Sequence, residues 1–192
     1  MGHGARPHEL SENVRFSRDR VSFGAVHIVG SNNSLAPWTG QTTPTPEQTA
    51  EVLGRTAAAI QEIHATFADA RRHNDRAVVL MTQADMFDPT VTAPKYADYF
   101  AFQPIVRTIA EDSRKFGRPV YLFNGDSHVC NRDFPLGSDS QWPAFYGLTS
   151  PVPNLSRITV DGSDNAHDYL RVTISTNRQD PLTWVRVPFA AS

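Results

Sequence analysis

The stretch VYLFNGDSHVCNRD, residues 120–133, places several chemically capable side chains directly after an apolar run. These side chains are Asp126, Ser127, His128, Cys130 and Arg132. Asp126 and His128 are separated by one residue, so in an extended or tightly turned segment both side chains can point the same way. A carboxylate beside an imidazole can bind a metal ion or act as an acid–base pair. The alternative is that Asp126 caps a turn while His128 bonds to the backbone.

Two further polar clusters follow apolar runs elsewhere in the chain. Ser31-Asn32-Asn33 comes after a β-rich run that predicts a strand over residues 20–29. Gln83 and Asp85 follow the continuous apolar run 77–81, and their oxygens suit a hard cation such as Mg²⁺ or Mn²⁺. Because the carboxyl ends of parallel strands meet at one sheet edge, we expect all three clusters to lie together there.

The elements between these clusters alternate between helix and strand. Thr45-Pro46-Glu47-Gln48 has the spacing of a capping box and predicts a helix from Pro46 to about Arg72. A second amphipathic helix includes Phe102 and Phe116 and ends before Gly117. The later runs SRITVDG, DYLRVTIS and LTWVRVPF predict three antiparallel strands. The order β-α-β-α-β followed by a β-meander predicts a layered α/β fold.

The composition of the chain indicates which kinds of molecule it can bind. The 192 residues carry a net charge of −2, which gives no basic field of the kind that binds nucleic acid. No apolar run is long enough to cross a bilayer, and the N-terminus lacks the apolar centre of a signal peptide. We therefore expect a soluble, cytoplasmic protein that acts on a small molecule.

The block NGDSHVCNRD resembles the terminal block of calcineurin-like metallophosphoesterases, in which Gly-His-x-His is followed by a short hydrophobic stretch and an Arg. The segments FGAVHIVGSNN and VVLMTQADMF resemble the strands that precede this block, and the resemblance covers residues 12–175. It implies a layered sheet or sandwich flanked by helices, with residues 20–188 as one partial domain of this type and residues 1–19 as an N-terminal tail. The implied activity is metal-dependent hydrolysis of a small phosphoester.

The resemblance also implies roles for individual residues. His128 matches the second His of the block, Asp126 stands at the first, and Gln83 stands near the ligand His of the preceding strand. These three would hold a divalent ion (Mn²⁺, Mg²⁺, Fe or Zn²⁺), with Asp126 and His128 also catalytic. Asn32, Asn33 and Arg132 would contact the phosphate, Arg132 through its bidentate geometry.

Two of the three matched metal ligands depart from the family, since oxygen replaces nitrogen at Asp126 and Gln83. This change would favour a harder metal or weaken metal binding. The family's upstream Asp-x-His, Gly-Asp-x-x-Asp and Gly-Asn-His-Asp/Glu blocks are absent from the sequence. We therefore expect either the C-terminal half of a longer protein or a shortened relative. An open sheet edge in such a fold predicts self-association into a homo-oligomer.

Two other functions remain open at this level. Gly125-Asp126-Ser127 together with Asp164-Asn165-Ala166-His167 resembles the end blocks of GDSL-type serine esterases. Ser127 would then be the nucleophile and His167 its base. The third possibility is a non-catalytic remnant of the phosphoesterase fold that binds a ligand or partner.

Overall fold

A six-stranded mixed sheet forms the centre of the computed structural model, which describes residues 12–163, 167–175, 177 and 180–189. The strands are β1 (Val14–Arg18), β2 (Val21–Ala25), β3 (Ala77–Met81), β4 (Val120–Asn124), β5 (Asn131–Asp133) and β6 (Leu155–Thr159). Their order across the sheet is β1-β2-β3-β4-β6-β5. Strands β2, β3, β4 and β6 run parallel, and the two edge strands β1 and β5 run antiparallel to their neighbours.

One face of the sheet is covered by two helices, α2 (Pro46–Arg72) and α3 (Gln103–Phe116). The predicted capping box is confirmed at the start of α2, where Thr45 Oγ1 accepts from the Gln48 amide and the Gln48 side chain accepts from the Thr45 amide. Helix α3 ends at Gly117, whose φ of 66° is left-handed. The apolar faces of both helices pack on the sheet in one core that includes Phe67, Ile105 and Leu122.

The opposite face of the sheet is covered by a hairpin of β7 (Asp168–Ile174) and β8 (Leu182–Pro188). Trp184 of this hairpin packs edge-on against Tyr121 and Phe123 of β4. Leu182 is fully buried in the same second core. The described chain is thus layered as helices, sheet and hairpin. Two short segments lie in the connections: α1 (Gly30–Ser34), which is a left-handed turn, and the short helix α4 (Trp142–Phe145).

The mixed α/β class, both long helices and strands β3 and β4 are confirmed, but the predicted meander is corrected. Strand β6 belongs to the central sheet, parallel to β4, and only β7 and β8 form an antiparallel pair. The error arose because Arg157 interrupts the apolar pattern of β6 and imitates an exposed position, whereas all five residues of β6 are buried.

Two boundaries near the N-terminus also differ from the prediction. Residues 14–18, which the sequence placed in a tail, form edge strand β1 and pair with β2 along its whole length. Strand β2 ends at Ala25 instead of residue 29. Within the described part of the chain, no helix combines the length and apolar character that crossing a membrane requires.

Candidate functional site

The carboxyl ends of β2, β3 and β4 lie side by side, as the polar clusters predicted, and a cavity of about 440 Å³ opens there. Four carboxylates line this acidic cavity: Asp85, Asp88, Asp98 and Asp126. Lys95 is the one cationic side chain in its lining, and Ser127 supplies a hydroxyl. The acidic cavity therefore carries an excess of negative charge.

Asp126 occupies a left-handed turn immediately after β4, with φ of 72°. Its Oδ1 accepts a hydrogen bond of 3.0 Å from Gln83 Nε2, and its Oδ2 accepts one of 3.3 Å from the Asp85 amide. A side chain on Gly30 would bring a Cβ to 2.6 Å from Asp126 Oδ2, so glycine at this position is what lets the carboxylate lie there. The turn and these contacts fix the carboxylate at the edge of the sheet.

Gln83 links the ends of β2 and β3 to this carboxylate. Its Oε1 accepts from the Gly30 amide at 2.8 Å while its Nε2 donates to Asp126. The side-chain oxygen of Gln83, which the sequence predicted as a metal ligand, is therefore hydrogen-bonded to the backbone. In this geometry Gln83 orients Asp126.

His128 packs toward the end of β6, which lies on the side of β4 away from β3. Its φ of 57° is also left-handed, and its ring packs so closely on Gly162 that a Cβ there would lie 2.7 Å from His128 Cδ2. Gly162 follows β6, whereas Gly30, which Asp126 contacts, follows β2. Both residues have left-handed backbone conformations, so the segment is not extended. Asp126 and His128 therefore contact different neighbouring residues.

Asp85 joins the acidic cavity to a buried ionic network. Its Oδ2 accepts from Ser127 Oγ at 2.7 Å, and its Oδ1 accepts from Arg157 Nη1 at 2.5 Å. Burial raises the pKa of Asp85, although the charge of Arg157 and the hydrogen bond from Ser127 act in the opposite direction. The network holds the Ser127 hydroxyl at the cavity wall.

Asp88 and Asp98 of the cavity lining were not identified from the sequence, and neither was Arg157, which holds Asp85 in place. The side chain of Arg157 is 0% exposed, and its Nε and Nη2 form a fork to Asp133 at 2.9 and 2.6 Å. Its Nη1 also donates to the carbonyl of Phe87. The one available signal was an arginine flanked by apolar and β-branched residues in a short strand, because a charge at such a position must be paired if it is buried.

The negative charge of the acidic cavity also affects the pKa of Tyr99, which lines it. Burial, followed by the nearby charges of the four lining carboxylates, raises its pKa to about 12. A negative field opposes formation of a tyrosinate for the same reason that it attracts a cation. Oxygen ligands with excess negative charge are what hard divalent cations such as Mg²⁺, Mn²⁺ and Ca²⁺ bind.

The two asparagines predicted to contact phosphate are buried and hydrogen-bonded within the protein. Asn32 accepts from the Ala101 amide at 2.9 Å and donates to the Ala97 carbonyl, although it still lines the acidic cavity. Asn33 accepts from Arg55 Nη1 and donates to Thr56 Oγ1. Asn33 therefore ties the left-handed turn after β2 to helix α2, and Asn32 ties it to the segment that precedes α3.

Arg132, the third predicted phosphate contact, lies away from the acidic cavity. Its guanidinium stacks over the Trp184 ring at 4.6 Å, on the hairpin side of the sheet. It lines a different cavity together with Tyr121 and Asp180. The structure thus does not bring Arg132 together with Asp126.

The residues proposed for a serine esterase form hydrogen bonds with other partners. Ser127 Oγ donates to Asp85, and among the described residues no hydrogen bond joins it to His167. His167 is exposed at the start of β7, where its carbonyl accepts from the Phe189 amide. Asp164, Asn165 and Ala166 lie outside the described residues.

The carboxylate oxygens of the acidic cavity are of the type that binds a hard cation, but they are not arranged as a closed metal site. Across the described ranges, no three His, Cys, Asp or Glu side chains are positioned to hold one ion. Asp126 is the predicted ligand that does line the acidic cavity, with Asp85 and Asp88 as further oxygen donors.

Sequence comparison identifies no related family and no related curated protein. The chain matches no protein-family model, and no curated protein sequence matches it at a significant level. Its function must therefore be inferred from the geometry of the site, and membership of the calcineurin-like group stays a prediction from the motif.

Proposed function

We propose that this chain acts in metal-dependent hydrolysis of small phosphoesters, as a relative of the calcineurin-like metallophosphoesterases, with the acidic cavity as its site. The observation that carries the proposal is the meeting of four carboxylates at the carboxyl edge of a parallel sheet. Their combined charge would repel a phosphoester unless a cation neutralised it. A bound divalent ion would supply that neutralisation and polarise the phosphoryl oxygen.

Within this proposal Asp126 is the principal ligand. Its carboxylate is held in place by the Gln83 side chain and the Asp85 amide, so it loses little conformational freedom when it binds an ion. Ser127, held by Asp85, presents a hydroxyl to the same cavity. His128 packs on Gly162 and is not in the lining of the acidic cavity, so its proposed role as ligand or catalytic group rests on the motif resemblance alone.

The test compares two Asp→Asn substitutions at positions with the same backbone conformation. Asp126 and Asp19 both have positive φ, 72° and 50°, a region in which asparagine is well tolerated. Asp19 is an exposed residue of the β1–β2 turn and serves as the matched control. Chelator-treated protein is titrated with Mn²⁺ and Mg²⁺ by calorimetry, and hydrolysis of bis-p-nitrophenyl phosphate and p-nitrophenyl acetate is measured with and without chelator.

We expect Asp126→Asn to lower cation affinity and phosphoesterase activity by at least about tenfold, the effect of disturbing groups around a metal site. Asp19→Asn should behave as the unaltered protein. Chelator-resistant hydrolysis of the acetate ester that is lost in Ser127→Ala would replace this proposal with the serine esterase. Absence of both cation binding and turnover would leave a binding module.

A further inference from the structure

Three arginines lie together at the edge of the sheet opposite the acidic cavity. Arg20 and Arg76 directly precede β2 and β3, and Arg118 lies two residues before β4. With Asn74 they line a cavity of about 340 Å³ in whose lining no acidic side chain takes part. We call Arg20, Arg76 and Arg118 the arginine cluster. Strands β2, β3 and β4 are adjacent and parallel, so the three turns that carry these residues must meet.

Hydrogen bonds to main-chain carbonyls hold the guanidinium groups of the arginine cluster in place. Arg20 Nη2 donates to Asn74 at 2.7 Å, and Arg118 Nη1 donates to Asp75. Arg76 donates to Ser175 at 2.8 Å and to Asp19 at 3.0 Å. Each guanidinium has five N–H donors, so one or two bonds fix its position and leave others for a ligand.

The positive charge of the arginine cluster is only partly balanced by the protein. In the part of the chain that the structure describes, none of the three arginines forms an ion pair with a carboxylate. The buried Asp75 directs its carboxylate to Ser22 Oγ, 2.6 Å away. Helices α2 and α3 end at this edge, and each C-terminus contributes about half a negative charge. Three guanidiniums exceed the sum of these charges.

We propose that the arginine cluster binds the phosphate group of a small phosphorylated molecule. Arginine forks match the oxygen geometry of phosphate and can bind it through paired hydrogen bonds. The cavity volume of about 340 Å³ lies at the small end of ligand pockets, which leaves room for a small organic group beside the phosphate. This site is separate from the acidic cavity and does not depend on the proposed hydrolysis.

Calorimetric titrations with inorganic phosphate, AMP and adenosine test the site. Chelator is present throughout, so that no phosphate can bind through a metal ion in the acidic cavity. We expect AMP to bind and adenosine not to bind, with affinity falling as salt is added because the attraction is ionic. Equal affinity for AMP and inorganic phosphate would support the site with the free ion as its ligand.

Variants separate a binding role from a structural one. Arg20→Gln and Arg118→Gln should each weaken AMP binding by about tenfold or more, as expected for loss of a charge-assisted hydrogen bond. Arg118→Lys keeps the charge but loses the fork and should fall between. Arg107→Gln is the matched control, because Arg107 also donates to a main-chain carbonyl, that of Tyr146. Asp126→Asn should bind AMP normally.

Three results would overturn the proposal. One is unchanged AMP affinity in folded Arg20→Gln and Arg118→Gln, verified by circular dichroism. Another is adenosine binding as tightly as AMP, which would make the phosphate irrelevant. The third is no binding of either phosphate-containing probe at millimolar concentration.

Discussion

Replacing Arg157 with methionine should destabilise the protein more than any exposed arginine substitution. Arg157 is fully buried and joins two acidic residues, Asp85 and Asp133, whose side chains are 2% and 37% exposed. Asp133 can recover hydration when its partner is lost. Asp85 cannot, because its side chain is 2% exposed and Arg157→Met leaves it with neutral donors, among them the Ser127 hydroxyl and the Phe87 amide. The substitution therefore leaves one buried negative charge without an ionic partner.

The cost can be worked from the contacts that disappear. Asp85 loses a charge-assisted hydrogen bond worth about 1.5–3 kcal/mol, and the Phe87 carbonyl loses a buried donor, worth about 1–3 kcal/mol. We expect a loss of about 3–5 kcal/mol in the free energy of unfolding, the range measured when one partner of a buried ion pair is removed. With a urea slope near 2.5 kcal/mol per molar, the unfolding midpoint should fall by about 1–2 M.

The same substitution should change how stability depends on pH. Burial already raises the pKa of Asp85, and loss of Arg157 removes the main opposing charge, so its folded pKa must rise further. A carboxyl group whose folded pKa exceeds its unfolded pKa stabilises the fold when protonated and loses that contribution as pH rises through the folded pKa. Urea unfolding of Arg157→Met at pH 7.5 and pH 5 should therefore show a smaller deficit at the lower pH.

Two further variants control this experiment. Adding Asp85→Asn to Arg157→Met removes the unpaired buried charge and should restore part of the lost stability. Arg72→Met breaks an exposed pair with Asp69 and should leave the urea midpoint nearly unchanged. A loss below about 1 kcal/mol for Arg157→Met, or no recovery in the double variant, would refute the role assigned to the buried network.

Three other substitutions test the acidic cavity and helix α2. Gly30→Ala should cost about 1–3 kcal/mol and weaken cation binding, because its Cβ would displace the Asp126 carboxylate; Gly54→Ala in α2 has open space around its Cβ and should instead stabilise by about 0.5–1 kcal/mol. Equal effects of the two alanines on urea midpoints would contradict the close contact. Thr45→Ala removes the cap of α2 and should cost about 1 kcal/mol, a fall of about 2–4 °C in Tm by calorimetry.

The parts of the fold that the sequence predicted are those with local signals. Thr45 to Gln48 encode the start of α2 within four residues, and the apolar run 77–81 needs no long-range information to indicate a buried strand. Strand β1 had no such signal, because all five of its residues are exposed. Its turn to β2 uses Asp19 and Arg20, both with positive φ, instead of the Asn-Gly or Asp-Gly pair that usually marks a tight hairpin.

The location of the site was predictable, but the directions of its side chains were not. Strand order places the three polar clusters at one edge, as expected from the parallel sheet. Ser31, Asn32, Asn33, Asp126 and His128 then adopt left-handed backbone conformations, where the two-residue alternation of a strand no longer applies. Partners such as Arg157 are 72 residues from Asp85 in sequence, and no local pattern indicates that they pair.

The parallel arrangement of the sheet also explains why two oppositely charged sites can coexist in a small protein. All carboxyl ends of β2, β3 and β4 share one edge and all amino ends share the other, so the acidic cavity and the arginine cluster are separated by the length of the strands. Five residues of strand span about 17 Å, which is about twice the distance over which physiological salt screens exposed charges. A cation at one edge and a phosphate at the other would therefore bind with little electrostatic coupling, which is why Asp126→Asn should disturb the first site without altering the second.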